Sequence, residues 1–200
     1  RLDAMALYVE AMDPKTVEGS LYRSILLVHG NHFEHAQTLI TATRQLLDTQ
    51  VTALVGESYE RAYKAIVKTQ QVAELEEVLN YKKAAQEQTG SGQELSYLRT
   101  MWNKRLFAVQ ASVEVWQNVM SIHSLIIPPE QNETAWLKYA ALCRKTKRLN
   151  LCYRTLVKLI QLGDKDGQLN PFAPSVSPRV SLAWLKYLWA TEQQHHALAS

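Results

Sequence analysis

Apolar residues along this chain recur at intervals of three and four rather than two, the spacing that keeps one stripe of an α-helix against a core. Tyr22, Ile25, Leu26 and His29 fall at this spacing, Gly30-Asn31 supplies a turn, and Phe33, Ala36, Ile40, Thr43 and Leu47 resume it. Two antiparallel helices are predicted. From Thr52 to Lys83 a further periodic stretch carries Leu54, Tyr59, Ala62, Tyr63, Ile66, Val67, Leu75, Val78 and Leu79. It reads as two helices bending near Gln70-Gln71, with one long helix as the alternative because no strong breaker interrupts it. Periodicity lapses from Ala84 to Gln93, around Gly90-Ser91-Gly92, where a flexible loop and the most mobile internal segment are expected. Glu94 to His123 reads as helix again, with Leu98, Trp102, Leu106, Val109, Val113, Trp116 and Met120 along one face and Pro128-Pro129 closing it.

The next stretch is the most informative. Asn132 or Thr134 can cap a helix whose apolar face holds Trp136, Tyr139, Ala140 and Cys143; a basic turn follows, and Leu149, Cys152, Tyr153, Leu156, Leu159 and Ile160 form the return helix. Small residues at Ala140 and Cys152 fall where paired helices of tetratricopeptide-like repeats approach closely. A proline-bearing connection, about 163–178, leads to Leu182, Leu185, Leu188 and Trp189. The string Trp136-Leu-Lys-Tyr139 recurs as Trp184-Leu-Lys-Tyr187, 48 residues on. Helix pairs that each bury a face on the next account for this repeat, so the predicted fold is all-α, an α-α superhelix of tetratricopeptide-like hairpins, with 1–200 as a single segment.

Composition narrows the function classes. A 46% hydrophobic content suffices for a substantial core, and 22 basic against 19 acidic residues leave a net charge of only +3. That is too balanced for the general phosphate-neutralising surface of non-specific nucleic-acid binding, so no nucleic-acid partner is expected and any polyanion site must be local. Cys143 and Cys152, with eight residues between them, match no zinc knuckle or redox pair and point to a reducing, cytoplasmic setting. No leader pattern opens the chain, and no apolar run approaches the roughly 20 residues that span a bilayer, so direct membrane insertion is not expected. Arg1 at the start and a pattern still running at Ser200 are read as signs of a piece of a longer protein.

Candidate chemistry is sparse. His29, His32 and His35 straddle the Gly30-Asn31 turn without a carboxylate at ligand spacing, and adjacent His195-His196 diverge on a helix, so no metal is expected. Both cysteines sit at small-residue positions where a free thiol packs as a small hydrophobe. The tryptophans 102, 116, 136, 184 and 189 lie at helix-face spacing, which favours core packing over base stacking. No phosphate-loop, dinucleotide, nucleophile-elbow, zinc-protease or kinase catalytic-loop pattern occurs, and no catalytic residue is assigned. One charge cluster stands above background: Arg144, Lys145, Lys147 and Arg148, joined by Lys138 one heptad earlier and by Arg154 or Lys158 on the return helix. It suits either a helix C-terminus that favours cations or a site where lysines and arginines converge on a phosphorylated ligand.

Several strings resemble the FAT region of the TOR kinases, members of the PI3K-related serine/threonine kinase family. They are Leu54-Val-Gly-Glu-Ser-Tyr-Glu-Arg-Ala-Tyr63, Glu74-Leu-Glu-Glu-Val-Leu-Asn-Tyr-Lys82, Val115-Trp-Gln through Ser124-Leu-Ile-Ile-Pro-Pro129, and Thr134-Ala-Trp-Leu-Lys-Tyr-Ala-Ala-Leu-Cys-Arg-Lys145. Leu185-Lys-Tyr-Leu-Trp-Ala190 looks like a fungal member. The resemblance implies a non-catalytic helical scaffold that clasps and regulates a kinase domain of the same chain in growth signalling. It also implies a complex with a Raptor-type or Rictor-type scaffold subunit and a WD-repeat subunit, reaching vacuole or lysosome surfaces through that complex. It implies further a basic pocket for an inositol polyphosphate such as inositol hexakisphosphate, with Lys138 and Lys145 matching two of its lysines and Arg148 beside them. Two other pocket positions are Ala111 and Ala190 here, and the remaining basic residues would lie beyond Ser200. From residue physics alone, the rival reading is a free-standing tetratricopeptide-like adaptor that binds peptide or protein partners on its concave face. An RNA-processing scaffold would need a basic stripe that is not seen.

Overall fold

The computed structural model describes residues 2–56, 58–87, 92–163 and 169–191. Among these residues the secondary structure is helical and no strand occurs: α1 (Leu2–Ala11), α2 (Val17–His29), α3 (Phe33–Val55), α4 (Tyr59–Gln86), α5 (Gly92–Ala108), α6 (Val113–His123), a 3-10 turn at Pro129–Asn132, α7 (Glu133–Lys145), α8 (Leu149–Gly163) and α9 (Pro178–Ala190). The all-α class inferred from the three-four periodicity is therefore correct. The chain divides into two compact units, residues 1–102 with 118–126, and residues 103–117 with 127–200.

Both tight helical hairpins turn in the same way. After α2 the His32 amide reaches back to the Leu27 carbonyl at 2.9 Å, and after α7 the Arg148 amide reaches the Cys143 carbonyl at 2.8 Å. This six-to-one bond needs a left-handed residue just before it, supplied by Asn31 and Lys147, each at φ 60°. Asn tolerates that region through its short polar side chain, whereas Lys does not, so Lys147 holds a strained conformation worth roughly 1 kcal/mol. Gly30, the residue that marks the first turn in the sequence, has an ordinary φ of −75°.

In the first unit α2, α3 and α4 pack antiparallel around Val28, Ala36, Ile40, Leu47, Leu75 and Leu79, all essentially buried. The Ser20 and Thr43 hydroxyls meet at 2.6 Å between α2 and α3. On the α3–α4 side Arg44 pairs with Glu76, Gln37 bonds the same carboxylate at 3.0 Å, and Lys83 reaches Glu34 at 3.1 Å. The side chain of Arg23 ties α1 down by donating to the carbonyls of Val9 and Met12 at 2.8 and 2.6 Å. A polar cluster lies inside this apolar unit. Glu74, fully buried, meets His123 Nε2 at 2.7 Å and accepts from Gln70 Nε2 at 3.0 Å. The His123 ring stacks on Trp102 with centroids 4.6 Å apart, and the indole N–H of Trp102 donates to Glu77 at 2.6 Å.

In the second unit α7 and α8 form a hairpin closed by Tyr139, Ala140, Cys143, Cys152, Leu156 and Ile160, all buried. The small residues Ala140 and Cys152 do fall inside it. Leu159, Ile160, Val176 and Val180 make an apolar cluster on which Trp136, Leu137, Ala173 and Trp184 pack, and this seats α9. Ser177 Oγ bonds Glu133 at 3.2 Å and Arg179 bonds Thr134 at 3.3 Å, so α7 and α9 start side by side and run parallel, like corresponding helices of successive repeats.

Four expectations need correction. Thr52–Val55 complete α3, and α4 runs unbroken through Gln70-Gln71, because Gln71 is buried and no residue there opposes a helix. Glu94–His123 is two helices rather than one: Ser112 opens α6, its carbonyl taking the Trp116 amide at 3.0 Å and its hydroxyl meeting Glu114 at 3.0 Å. Ala84–Gln86 belong to α4 and Gly92-Gln93 to α5, while 88–91 of the expected loop, like 164–168 of the proline-bearing connection, lie outside the described residues. Leu182, Trp189, Tyr59 and Ile66, read as core-facing, are exposed.

Removing the His123 imidazole would take from the buried Glu74 carboxyl the hydrogen bond it makes at 2.7 Å, a loss expected to cost roughly 1 to 3 kcal/mol. Urea denaturation should show this for His123→Ala, and the double variant Glu74→Leu/His123→Leu should recover most of it. A loss under about 1 kcal/mol would mean that the pair does not organise the unit.

Candidate functional site

Residues 134, 137, 138, 141 and 145 fall at helix spacing on one face of α7, and 179, 182, 183 and 186 do the same on α9. These two faces flank a cavity of about 390 Å³. Lys138, Arg144 and Lys145 line it from α7 and Arg179 and Lys186 from α9, together with the uncharged Leu137, Ala140, Ala141, Cys152, Leu182 and Ala183. No Asp or Glu lines it, and among the described residues none of the five cations forms an ion pair. Five uncompensated positive groups around one concavity raise the local potential for anions far more than the net charge of +3 suggests.

The cluster read from sequence is thus split and extended. Lys138 and Lys145 share the cavity, and Lys138 Nζ also sits 3.4 Å from the centroid of the Phe107 ring, a cation–π contact that limits where the chain can swing. Arg148 does not line it. Its guanidinium pairs with Glu114, whose carboxyl is held below the usual carboxylate range by its own backbone amide first and then by Ser112, with Arg148 adding to the effect. Lys147 forms the turn, and Lys158 lies over the Trp136 ring at 4.9 Å. Arg179 and Lys186 are the cations that the sequence reading missed. Lys186 had a signal: 138 + 48 = 186, so it is the repeat counterpart of Lys138. Arg179 had none, since 179 − 48 = 131 is Gln.

Other candidates are placed elsewhere. His29 ends α2, His32 precedes α3 and His35 lies within it, all three exposed; among the described residues no group of His, Cys, Asp and Glu is arranged to hold a metal ion. Trp102 and Trp116 are buried and Trp136 and Trp184 partly so, whereas Trp189 is exposed. Among the described residues no helix is long and apolar enough to cross a membrane.

Helical hairpins stacked as repeats define the class of fold. Residues 1–200 match the model of the FAT domain, and the chain belongs to that family. It is 44% identical over 98% of its length to the serine/threonine-protein kinase mTor of Drosophila melanogaster and 39% identical over 98% to the serine/threonine-protein kinase TOR2 of Saccharomyces cerevisiae. It is 36% identical over 88% to the serine/threonine-protein kinase TOR of Arabidopsis thaliana. The chain spans about 8% of the length of the first two relatives and 7% of the third.

Both cysteines are free and buried. Burial pushes the Cys143 thiol up and, more strongly, Cys152 up to about 12. A thiol with so raised a pKa carries almost no thiolate at pH 8, and thiolate is the reactive form. Iodoacetamide at pH 8 is therefore expected to leave both unmodified in the folded chain and to alkylate both in denaturant, read by intact mass. Labelling of Cys152 at the rate of a free thiol would contradict its burial.

Proposed function

We propose that this chain is a non-catalytic scaffold segment of a TOR-type serine/threonine kinase, and that the groove between α7 and α9 holds an inositol polyphosphate such as inositol hexakisphosphate. The observation that carries the ligand is the convergence of Lys138, Arg144, Lys145, Arg179 and Lys186 on one cavity with no carboxylate in its lining. Phosphate oxygens accept several charge-assisted hydrogen bonds at once, and such a ligand would neutralise the cluster. Membership of the FAT family and likeness to TOR kinases support the wider reading, in which the helical repeats clasp and regulate a kinase domain of the same chain. The parent works within a complex that includes a Raptor-type or Rictor-type scaffold subunit and a WD-repeat subunit, in the cytoplasm and at endomembrane surfaces.

Charge-assisted hydrogen bonds contribute about 1.5 to 3 kcal/mol each, so Lys138→Ala/Lys145→Ala in the full-length parent should weaken inositol hexakisphosphate at fixed salt by at least about a hundredfold. Arg148→Ala, outside the cavity, should change affinity less than about threefold. Calorimetric titration of the three proteins decides it, and equal affinities for wild type and the double-lysine variant would remove the groove from the site.

The scaffold reading has its own test. Incubated with ATP and a protein substrate, the isolated chain should transfer no phosphate, and any phosphotransfer by it would refute the non-catalytic assignment.

A further inference from the structure

The connection into α9 carries a serine of its own interest. Residues 171–178 read Pro-Phe-Ala-Pro-Ser-Val-Ser-Pro, and Ser177-Pro178 is the one place in the chain where a hydroxyl residue precedes proline. Proline fixes its own φ and pushes its predecessor toward extended backbone, and Ser177 sits there at φ −59° and ψ 134°. Pro174, Ser175, Pro178 and Arg179 are exposed, while Ser177 is half-buried between Val176 and Val180 of the apolar cluster. Although Ser177 immediately precedes α9, its hydroxyl makes no capping bond; it donates to Glu133, the first residue of α7, at 3.2 Å. Arg179 bonds Thr134, one residue further along α7, at 3.3 Å.

We infer that Ser177 is a phosphorylation site for a proline-directed serine/threonine kinase, and that its phosphate releases the start of α9 from the start of α7. Ser177 does not line the groove, so this stands apart from the ligand proposed there. An extended serine followed by proline is the substrate shape such a kinase reads: Pro178 offers no amide, and a cleft that accepts it must do so without a hydrogen bond at that residue. In the transfer the bond between the γ-phosphorus of ATP and its bridging oxygen breaks, phosphorus bonds Ser177 Oγ, the hydroxyl proton passes to the kinase's catalytic base, and ADP leaves. The product has lost the donor that serves Glu133 and carries a charge of about −1.5 to −2 at pH 7, set against that carboxylate. It also competes with the neutral Thr134 hydroxyl for the Arg179 guanidinium, which favours the phosphate. Repulsion from Glu133 and attraction to Arg179 therefore act in one direction, each removing a polar tie between α7 and α9. The positive end of the α9 dipole keeps α9 helical beside the new charge, and the cluster of Leu159, Ile160, Val176 and Val180 keeps it seated. What changes is the entry to the helix.

The test incubates the full-length parent with ATP and a cyclin-dependent kinase bound to its cyclin, and locates phosphate by tandem mass spectrometry. Wild type should be modified at Ser177. Ser177→Ala should lose that phosphate, and Pro178→Ala, which keeps the hydroxyl, should slow its uptake at least about tenfold. No phosphate at Ser177 in the folded parent, or phosphate at Ser175 in its place, overturns the site. Hydrogen–deuterium exchange then reads the release. Peptides covering 131–138 and 175–182 should exchange at least about threefold faster after phosphorylation. Ser177→Ala, which loses the bond without gaining charge, should change exchange there less than about twofold. In Glu133→Gln the side-chain amide donates to the phosphate, so phosphorylation should leave exchange within about twofold of the unmodified variant. Phosphate at Ser177 with unchanged or slower exchange at both helix starts overturns the release, and equal quickening in Glu133→Gln overturns the part given to Glu133.

Discussion

An apolar seam holds the second unit together, and the candidate site exists only because of it. Tyr153 of α8 lies against Trp184 and Tyr187 of α9, with ring centroids 5.8 and 5.9 Å apart, beside the cluster of Leu159, Ile160, Val176 and Val180. Aromatic pairs at such separations contribute about 0.5 to 1.5 kcal/mol beyond the area they bury. That attraction places two positively charged helix faces side by side, an arrangement that electrostatics alone would resist. The groove is the space between those faces, and its charge is the polar remainder of two amphipathic helices whose apolar sides are committed to α8.

The first unit solves a different problem. Long helices α3 and α4 expose much of their length, and their polar contacts lie mostly at the partly exposed edges, as with Arg44–Glu76 and Lys83–Glu34. Exposed pairs of this kind contribute little each. The Glu74–His123 pair differs because both partners are buried and their orientation is fixed by Gln70 and by the Trp102 ring. A buried polar pair penalises any arrangement in which its partners fail to meet, so it specifies how α4, α5 and α6 come together in that unit.

The repeat unites the two levels of description. Trp136 and Trp184 pack on one cluster, and Lys138 and Lys186, two residues beyond them, open into one cavity. On a helix two residues are about 200° apart, so the same short string sends its aromatic to the core and its lysine to the groove. Stacking two copies in parallel doubles the basic wall without any new sequence motif. Here the groove between α7 and α9 arises from the same packing that seats α9 on the apolar cluster.

The helical class, the α2–α3 and α7–α8 hairpins and the placing of Lys138 near Lys145 were legible in the sequence, since each depends on spacing within a few turns of one helix or on a short turn. The resemblance carried by strings such as Gly56-Glu-Ser-Tyr59 was likewise a local property. What could not be read was whatever depends on which helix lies beside which. Arg148 is adjacent to the cluster in sequence yet is drawn to Glu114, while Arg179, more than thirty residues away, joins the cavity because α9 folds back parallel to α7. The break before Ser112 carries neither Gly nor Pro and leaves the apolar spacing nearly intact, so periodicity runs through it. Periodicity shows that a helix has a face to bury; only tertiary packing decides which neighbour buries it and which charges are left looking at one another.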